Sequence, residues 1–344
     1  MKPRPVFRFA TPRPSLTLPA AMKTVTLGAL FTSAALLVIA ALDVGCSRNN
    51  IEAVNLANEG DKAKATDIDT AVSKYEQATN LDPTNHRILW KLGQAYLKKE
   101  QWDKVATTMA KAEKVEPKHA NFHYLHGMAL ARQAVKGPAT WADAKGPLEE
   151  SLKLDPNGPN YPTGAGWDSK NAGATHFELA EVLFHMDDEK GALDEYTKAI
   201  QVKPDEISFY GPLADLYIHL NLVKEAEDVL NSAVSFAKDG DKQLFNVHSL
   251  LGQVADMKGD AAKASTEYEL AKKACGQCNE GGQQIAFFNL GAAYATLKPP
   301  RKSEAMAQLQ SFQKMICKGA AAQRYADQCT TAQQLATKLG GTLQ

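Results

Sequence analysis

The sequence predicts an all-α protein built as a solenoid of stacked helical hairpins. Pro83 and Pro117 lie 34 residues apart in similar phrases, NLDP and KVEP, and related phrases end at Pro156 and Pro204. A period of 34 residues is typical of arrays of helix–turn–helix units. Apolar residues in the segment 192–200 recur on one face of a helix, whereas no long stretch alternates between apolar and polar residues as a strand would.

The N-terminus has the parts of a secretory signal. An uncharged run from Val25 to Leu42 follows Lys23 and further basic residues, and small residues come after it. A basic region, an apolar region and a small-residue exit predict export. We therefore expect residues 1–45 to be a signal segment. Met22 is the expected start, which would leave residues 1–21 upstream of the protein; a long basic region is the alternative.

The end of this segment resembles the lipobox of bacterial lipoproteins. Val44 and Gly45 match the two positions before the cysteine, while Asp43 stands where an aliphatic residue is usual. The resemblance implies that Cys46 carries the lipid and that residues 46–50 form the anchor and linker. Ordinary cleavage and an uncleaved helix are the alternatives, since a run of about 18 apolar residues just spans a bilayer. All three export the chain, so we expect a membrane-anchored protein of the bacterial envelope that faces the periplasm.

Residues 51–318 resemble the tetratricopeptide repeat family. Small residues stand where the family's two helices approach, and large residues fill the space between them. About seven units can be recognised, and one of the clearest contains Leu89, Leu92, Gly93, Tyr96, Val105, Met109, Ala112 and Pro117. The resemblance implies a right-handed α-solenoid, and residues 319–344 are expected to supply the capping helix and tail that such an array needs.

One segment interrupts the repeats. Residues 157–174 are rich in Gly, Pro and Asn and contain Tyr161 and Trp167. Long loops on a rigid scaffold often carry function. This loop is expected either to pack back on the solenoid or to act as a lid that contacts a partner.

The family resemblance also implies a concave groove lined by the first helix of each unit. Aromatic and polar residues at the corresponding positions would suit a peptide or helix of a partner protein. They are Arg87, Trp90, Gln94, Lys98, Tyr124, Met128, Arg132, Phe177, Glu181, His185, Asp215, His219, Asn246, Gln253 and Phe288. The alternative is that Trp90, Tyr124 and Phe177 only pack between repeats. Trp90 and Gln94 replace the Lys and Asn of the family's C-terminal carboxylate clamp, so we do not expect that specificity.

Four cysteines follow Cys46. In an exported chain an even number favours disulfides, and the expected pairs are Cys275–Cys278 and Cys317–Cys329, the second joining the cap to the last unit. A four-cysteine zinc site and a redox-active C-x-x-C pair are the alternatives.

Charge and motifs favour a non-catalytic protein. The 39 basic and 39 acidic residues balance, which gives no electrostatic attraction to nucleic acid. The sequence lacks the hydrolase, phosphate-loop and zinc-protease motifs. We therefore predict a protein–protein interaction scaffold with no cofactor, metal or small-molecule substrate, similar to lipoproteins that assemble pili or secretion complexes. A thiol–disulfide enzyme using Cys275 and Cys278, or a purely structural spacer, are the alternatives.

Overall fold

The structure is a computed structural model that describes residues 32–137, 139–158, 173–238, 240–280, 282–318 and 321–343. Most of the predicted signal segment and most of the 157–174 loop, with Tyr161 and Trp167, lie outside these residues. The structure describes the backbone of Cys46, the predicted lipid site, but not its side chain. The chain divides into two compact units, Met1–Ile51 and Glu52–Gln344.

Helices make up the regular structure of the described residues, which contain no strand. Fifteen α-helices follow one another in the part of the chain that the structure describes: α1 (Thr32–Ala63), α2 (Ile68–Leu81), α3 (His86–Lys98), α4 (Trp102–Val115), α5 (Ala120–Ala134), α6 (Trp141–Leu154), α7 (Ala174–His185), α8 (Glu189–Val202), α9 (Tyr210–His219), α10 (Val223–Phe236), α11 (Leu244–Met257), α12 (Ala261–Cys275), α13 (Ile285–Thr296), α14 (Lys302–Phe312) and α15 (Ala326–Lys338). A 3-10 turn at Ile207–Phe209 precedes α9, and a π-helical turn at Gln313–Cys317 follows α14.

Consecutive helices form hairpins that stack on one another within Glu52–Gln344. The C-terminal part of α1 packs on α2 through Ala53, Ala57, Ala71 and Tyr75, and α3–α4 through α13–α14 form six further pairs. From α2 onward, the second helix of each hairpin contacts the first helix of the next. This arrangement confirms the predicted α-solenoid.

The proline phrases stop the second helices. The helices α2, α4, α6 and α8 end at Leu81, Val115, Leu154 and Val202, two residues before Pro83, Pro117, Pro156 and Pro204. Proline lacks a backbone N–H, and its ring clashes with the preceding turn, so it cannot continue a helix. The repeated phrase therefore sets the length of successive hairpins.

Glycine allows the two helices of a hairpin to approach closely. A Cβ atom on Gly127 of α5 would lie 2.6 Å from Leu148 Cγ and 3.0 Å from the Ala144 carbonyl oxygen of α6. A Cβ on Gly291 of α13 would lie 2.8 Å from Leu309 Cγ of α14. Such distances are below van der Waals contact, so these positions require the residue without a side chain.

The last helix covers the end of the stack. Helix α15 contacts α13 and α14 and buries Ala332 and Ala336. It occupies part of the segment 319–344 in which the sequence predicts a cap. None of the helices in the described part of the chain is both long enough and apolar enough to cross a membrane.

Candidate functional site

The predicted groove residues lie on the first helices of six successive hairpins. We call the surface formed by α3, α5, α7, α9, α11 and α13 the first-helix face. Seven of the predicted residues are exposed there: Arg87, Lys98, His185, Asp215, His219, Asn246 and Gln253. Arg132, Phe177, Glu181 and Phe288 are half-buried. Most of the exposed side chains are polar.

Two aromatic residues expected to contact a partner are buried instead. Trp90 is 9% exposed and Tyr124 is 6% exposed. The Trp90 ring lies 5.7 Å from the Phe122 ring and 6.4 Å from the His119 ring of the next hairpin, measured between centroids. Neighbouring side chains therefore cover these rings, and they pack between repeats, the alternative that the sequence left open. Gln94 and Met128 are also buried, which corrects their expected role as accessible contacts.

The half-buried phenylalanines likewise contact other rings. Phe177 of α7 stacks on Phe209 at 5.0 Å and meets the edge of Tyr196 at 5.7 Å. The Phe288 ring of α13 lies 5.3 Å from the Phe312 ring at the end of α14. Most of the area of these aromatic side chains therefore joins helices together.

The N-terminal end of the first-helix face is basic. Lys64 Nζ donates to Gln94 Oε1 at 3.2 Å, and Lys98 Nζ donates to the Lys64 carbonyl oxygen at 3.2 Å. Burial lowers the pKa of the Lys64 ammonium group; Asp61 opposes that shift, while the nearby Lys91 and Lys98 charges add to it. Gln94, predicted as a contact, is thus covered by a lysine from the preceding hairpin.

An ion pair with a buried carboxylate joins the third and fourth hairpins. Arg132 of α5 donates to Glu178 of α7 through Nη1 at 2.9 Å and Nη2 at 2.5 Å. Glu178 is only 5% exposed. Burial raises the pKa of the Glu178 carboxyl, although the Arg132 guanidinium opposes this shift. Arg132 therefore has a structural partner within the chain. Sequence reasoning missed Glu178, because its burial follows from how α7 crosses α5.

A cleft opens between α7 and α9, with Tyr196 of α8 at its base. The Tyr196 hydroxyl donates to Glu181 Oε1 at 2.5 Å. Asp215 of α9 also lines the cleft and is exposed, yet its neighbours exclude enough water that burial raises the pKa of its carboxyl. Four predicted groove residues meet here, since His185 and His219 line the same cleft.

Rings border the cleft on the side of α7. Phe184 is 37% exposed, and its ring meets the edge of His185 at 5.6 Å. His185 in turn stacks on Trp141 of α6 at 4.1 Å. His219 lies across the cleft, with Nε2 3.5 Å from Glu189 Oε1. The side chain of Trp141, which sequence reasoning did not select, thus positions a groove residue.

The four C-terminal cysteines form two disulfides. Cys275 and Cys278 have Cα atoms 4.9 Å apart, and Cys317 and Cys329 have Cα atoms 5.8 Å apart. The pairs are those favoured by the sequence. Cys278 is completely buried, at 0% exposure, in an apolar cluster that includes Phe287 and the cap.

Two histidines of α5 contact a carboxylate of α4. His126 Nδ1 lies 2.9 Å and His123 Nδ1 lies 3.3 Å from Glu113 Oε1. Within the described ranges, no group of three or more His, Cys, Asp and Glu side chains could hold a metal ion.

Comparison with known proteins identifies the repeat. The family model described as "TPR repeat" matches residues 67–100, which include α2 and α3. No curated protein sequence matches the chain. Among solved structures, PilW, described as a widely conserved type IV pilus biogenesis factor, is 15% identical with a TM-score of 0.52, over 68% of this chain and 97% of PilW.

Two further structures show the range of similarity. The C-terminal part of a TPR repeat-containing protein from Cytophaga hutchinsonii is 13% identical with a TM-score of 0.52, over 72% of this chain and 86% of that one. MamA is 22% identical with a TM-score of 0.43, over 52% of this chain and 93% of MamA. The matched repeat and the stacked hairpins together lead to one conclusion: residues 67–100 match the tetratricopeptide repeat, and the chain has the fold of tetratricopeptide repeat proteins.

Proposed function

We propose that the protein is a non-catalytic scaffold that binds another protein through its first-helix face. The observation that carries the proposal is the row of exposed side chains on successive first helices, from Arg87 and Lys98 on α3 to Gln253 on α11. Stacked hairpins hold such a row at fixed spacing, which suits an extended peptide or a helix.

In this proposal the aromatic residues Trp90 and Tyr124 have a structural role and do not contact the partner. Trp90 and Tyr124 are buried between repeats, so they fix the spacing of α3 and α5 instead of contacting the partner. Exposed polar groups then supply register and specificity. A preorganised face loses little side-chain entropy when it binds, which favours affinity.

We further propose that the scaffold works at the bacterial cell envelope, held there by a lipid on Cys46. The N-terminal sequence pattern supports export, and the structural similarity to PilW, a pilus biogenesis factor by its description, is compatible with a role in assembling a pilus or secretion complex. Anchoring would raise the local concentration of the scaffold near a membrane-bound partner.

The buried Cys278 supports a structural role for the C-x-x-C pair. Thiol–disulfide exchange requires a thiolate to reach one of the two sulfurs. Cys278 is fully enclosed and Cys275 is half-buried. Both pack with the cap, where disulfides would stabilise the end of the array.

Site-specific photo-cross-linking of the full chain in its native cells tests the proposal. A photoreactive residue would replace Arg87, His219 or Gln253 on first helices, and in matched variants Lys111, Asp228 or Thr266 on second helices; all six positions are exposed. We expect the same protein adduct from the first-helix positions and none from the second-helix positions. Adducts from the second helices alone, or equal adducts from both sets, would contradict the proposal.

A further inference from the structure

The cleft between α7 and α9 has the composition of a subsite for a cation. It encloses about 280 Å³ and is lined by both helices and by Tyr196 of α8. Phe184 and Leu216 provide apolar walls, while Glu181 and Asp215 provide carboxylates. Among the described residues, its lining contains two histidines, His185 and His219, but neither lysine nor arginine. It therefore presents two carboxylates beside ring surface.

The carboxylates of the cleft have unused hydrogen-bonding capacity. Glu181 Oε1 accepts from Tyr196, and within the described part of the chain no hydrogen bond or ion pair is found at Glu181 Oε2 or at either oxygen of Asp215. An ionised carboxylate can accept about four hydrogen bonds. Nearby acidic side chains differ, because Glu178 pairs with Arg132 and Glu189 lies close to His219.

The rings beside these carboxylates restrict which cation fits best. Phe184 leaves 37% of its surface exposed at the edge of the cleft, and the stacked pair of His185 and Trp141 supports it from behind. A planar guanidinium can lie over an aromatic face and donate two parallel hydrogen bonds to a carboxylate. An ammonium group is a strongly hydrated point charge and fits this combination less well.

We propose that this cleft binds an arginine side chain of the partner protein, with the guanidinium against Phe184 and hydrogen-bonded to Asp215 and Glu181. The inference rests on the proposed function, because it places the arginine in a segment that lies along the first-helix face. It adds the chemistry of one contact: the partner presents a basic residue where it crosses from α7 to α9.

Peptide binding to the full chain in detergent tests this contact. The probe is a fluorescein-labelled Gly/Ser peptide with a short run of arginines, compared with peptides in which lysine or citrulline replaces arginine. Anisotropy is measured at about pH 8, where histidine side chains are generally uncharged. Citrulline keeps the shape of arginine without its charge, so it separates ion pairing from stacking.

We expect Asp215→Asn to weaken binding of the arginine peptide about five- to tenfold and Phe184→Ala about threefold, in line with a charge-assisted hydrogen bond and a cation–π contact. Asp228→Asn is the matched control, because it removes the same charge from exposed α10 and should leave binding unchanged. The citrulline peptide should bind at least about tenfold more weakly than the arginine peptide.

Several outcomes would overturn the inference. Equal affinities for wild type and Asp215→Asn would show that the cleft is not the binding site, as would equal weakening by Asp228→Asn. A lysine peptide that binds as tightly as the arginine peptide would reject the choice of arginine. If first-helix cross-links persist in cells while Asp215→Asn has no effect on the peptide, only this inference fails; if the cross-links are missing, the proposed function fails.

Discussion

Arg132 and Glu178 form a two-pronged ion pair between α5 and α7, and Glu178 is almost entirely buried. This pair joins the first helices of two neighbouring hairpins. The pair therefore holds the third and fourth hairpins in a fixed relative orientation.

Breaking this pair on one side should destabilise the protein. Arg132→Met leaves the Glu178 carboxylate buried without its partner, and we expect a loss of about 3 kcal/mol in the free energy of unfolding. The double variant Arg132→Met/Glu178→Leu should recover most of that loss, because no charge then remains buried. Urea unfolding followed by circular dichroism measures both effects.

The control for this prediction is a pair whose carboxylate is exposed. Lys145 and Glu149 lie 3.7 Å apart on the surface of α6, so Lys145→Met should change stability by less than about 0.5 kcal/mol. A similar loss for Lys145→Met and Arg132→Met would contradict the account of the buried pair.

Because α5 and α6 approach closely at Gly127, adding a single methyl group there should destabilise the protein. Gly127→Ala places a Cβ atom 2.6 Å from Leu148 Cγ, and overpacking of this kind should cost about 1–3 kcal/mol. In a Leu148→Ala background, where space has been created, the added cost of Gly127→Ala should fall by at least about 1 kcal/mol. Thermal unfolding of the four proteins gives the coupling, and strictly additive effects would refute the packing explanation.

The Glu113 cluster predicts a pH dependence of stability. Burial alone would raise the pKa of the Glu113 carboxyl, but hydrogen bonds from His123 and His126 outweigh it and lower the pKa to about 2. The hydrogen bond with Glu113 raises the pKa of His123 above 6.5, and burial opposes this shift. The stability that Glu113 contributes is complete above pH 4.5 and is lost as the pH falls towards 2. The contribution of His123 is complete below 6.5 and is lost as the pH rises through the raised value.

The contributions of Glu113 and His123 to stability are therefore both complete between pH 4.5 and pH 6.5. Glu113→Gln should lower the free energy of unfolding there by about 1–2 kcal/mol and by less at pH values above and below. The Tm difference between wild type and this variant, measured across pH, checks the prediction. A difference that keeps growing towards alkaline pH would be inconsistent with a charged His123–Glu113 pair.

The second disulfide should hold the cap in place. Cys317 and Cys329 are separated by 12 residues, and closing a loop of that size contributes about 3 kcal/mol in the chain-entropy description. Replacing both cysteines by serine should speed hydrogen exchange across α15 and lower the Tm. The Cys275→Ser/Cys278→Ser variant is the comparison, because that pair spans only 3 residues and lies in the turn before α13. Unchanged exchange in α15 without Cys317–Cys329 would show that packing alone retains the cap.

The fold could be predicted because the signals for helix ends and for close helix packing are local in the sequence. The proline phrases stop α2, α4, α6 and α8, and Gly127 and Gly291 stand where helices touch. Each signal depends on residues within one hairpin. The hairpins and their stacking could therefore be predicted without knowing their exact crossing angles.

The accessible residues could be predicted only in part. Family positions selected Asp215 and His219, which are exposed on α9, but they did not show that Phe122 of the next hairpin covers Trp90. The burial of Glu178 beside Arg132 was also missed. Such contacts depend on how neighbouring hairpins cross, which the spacing of residues along one chain segment does not encode.

The most direct test of the central claim is hydrogen exchange of the full chain with and without the protein that it cross-links. If the first-helix face is the contact surface, binding should slow exchange in α7, α9 and α11 while α8, α10 and α12 change little. Slower exchange confined to α8, α10 and α12 would contradict the account.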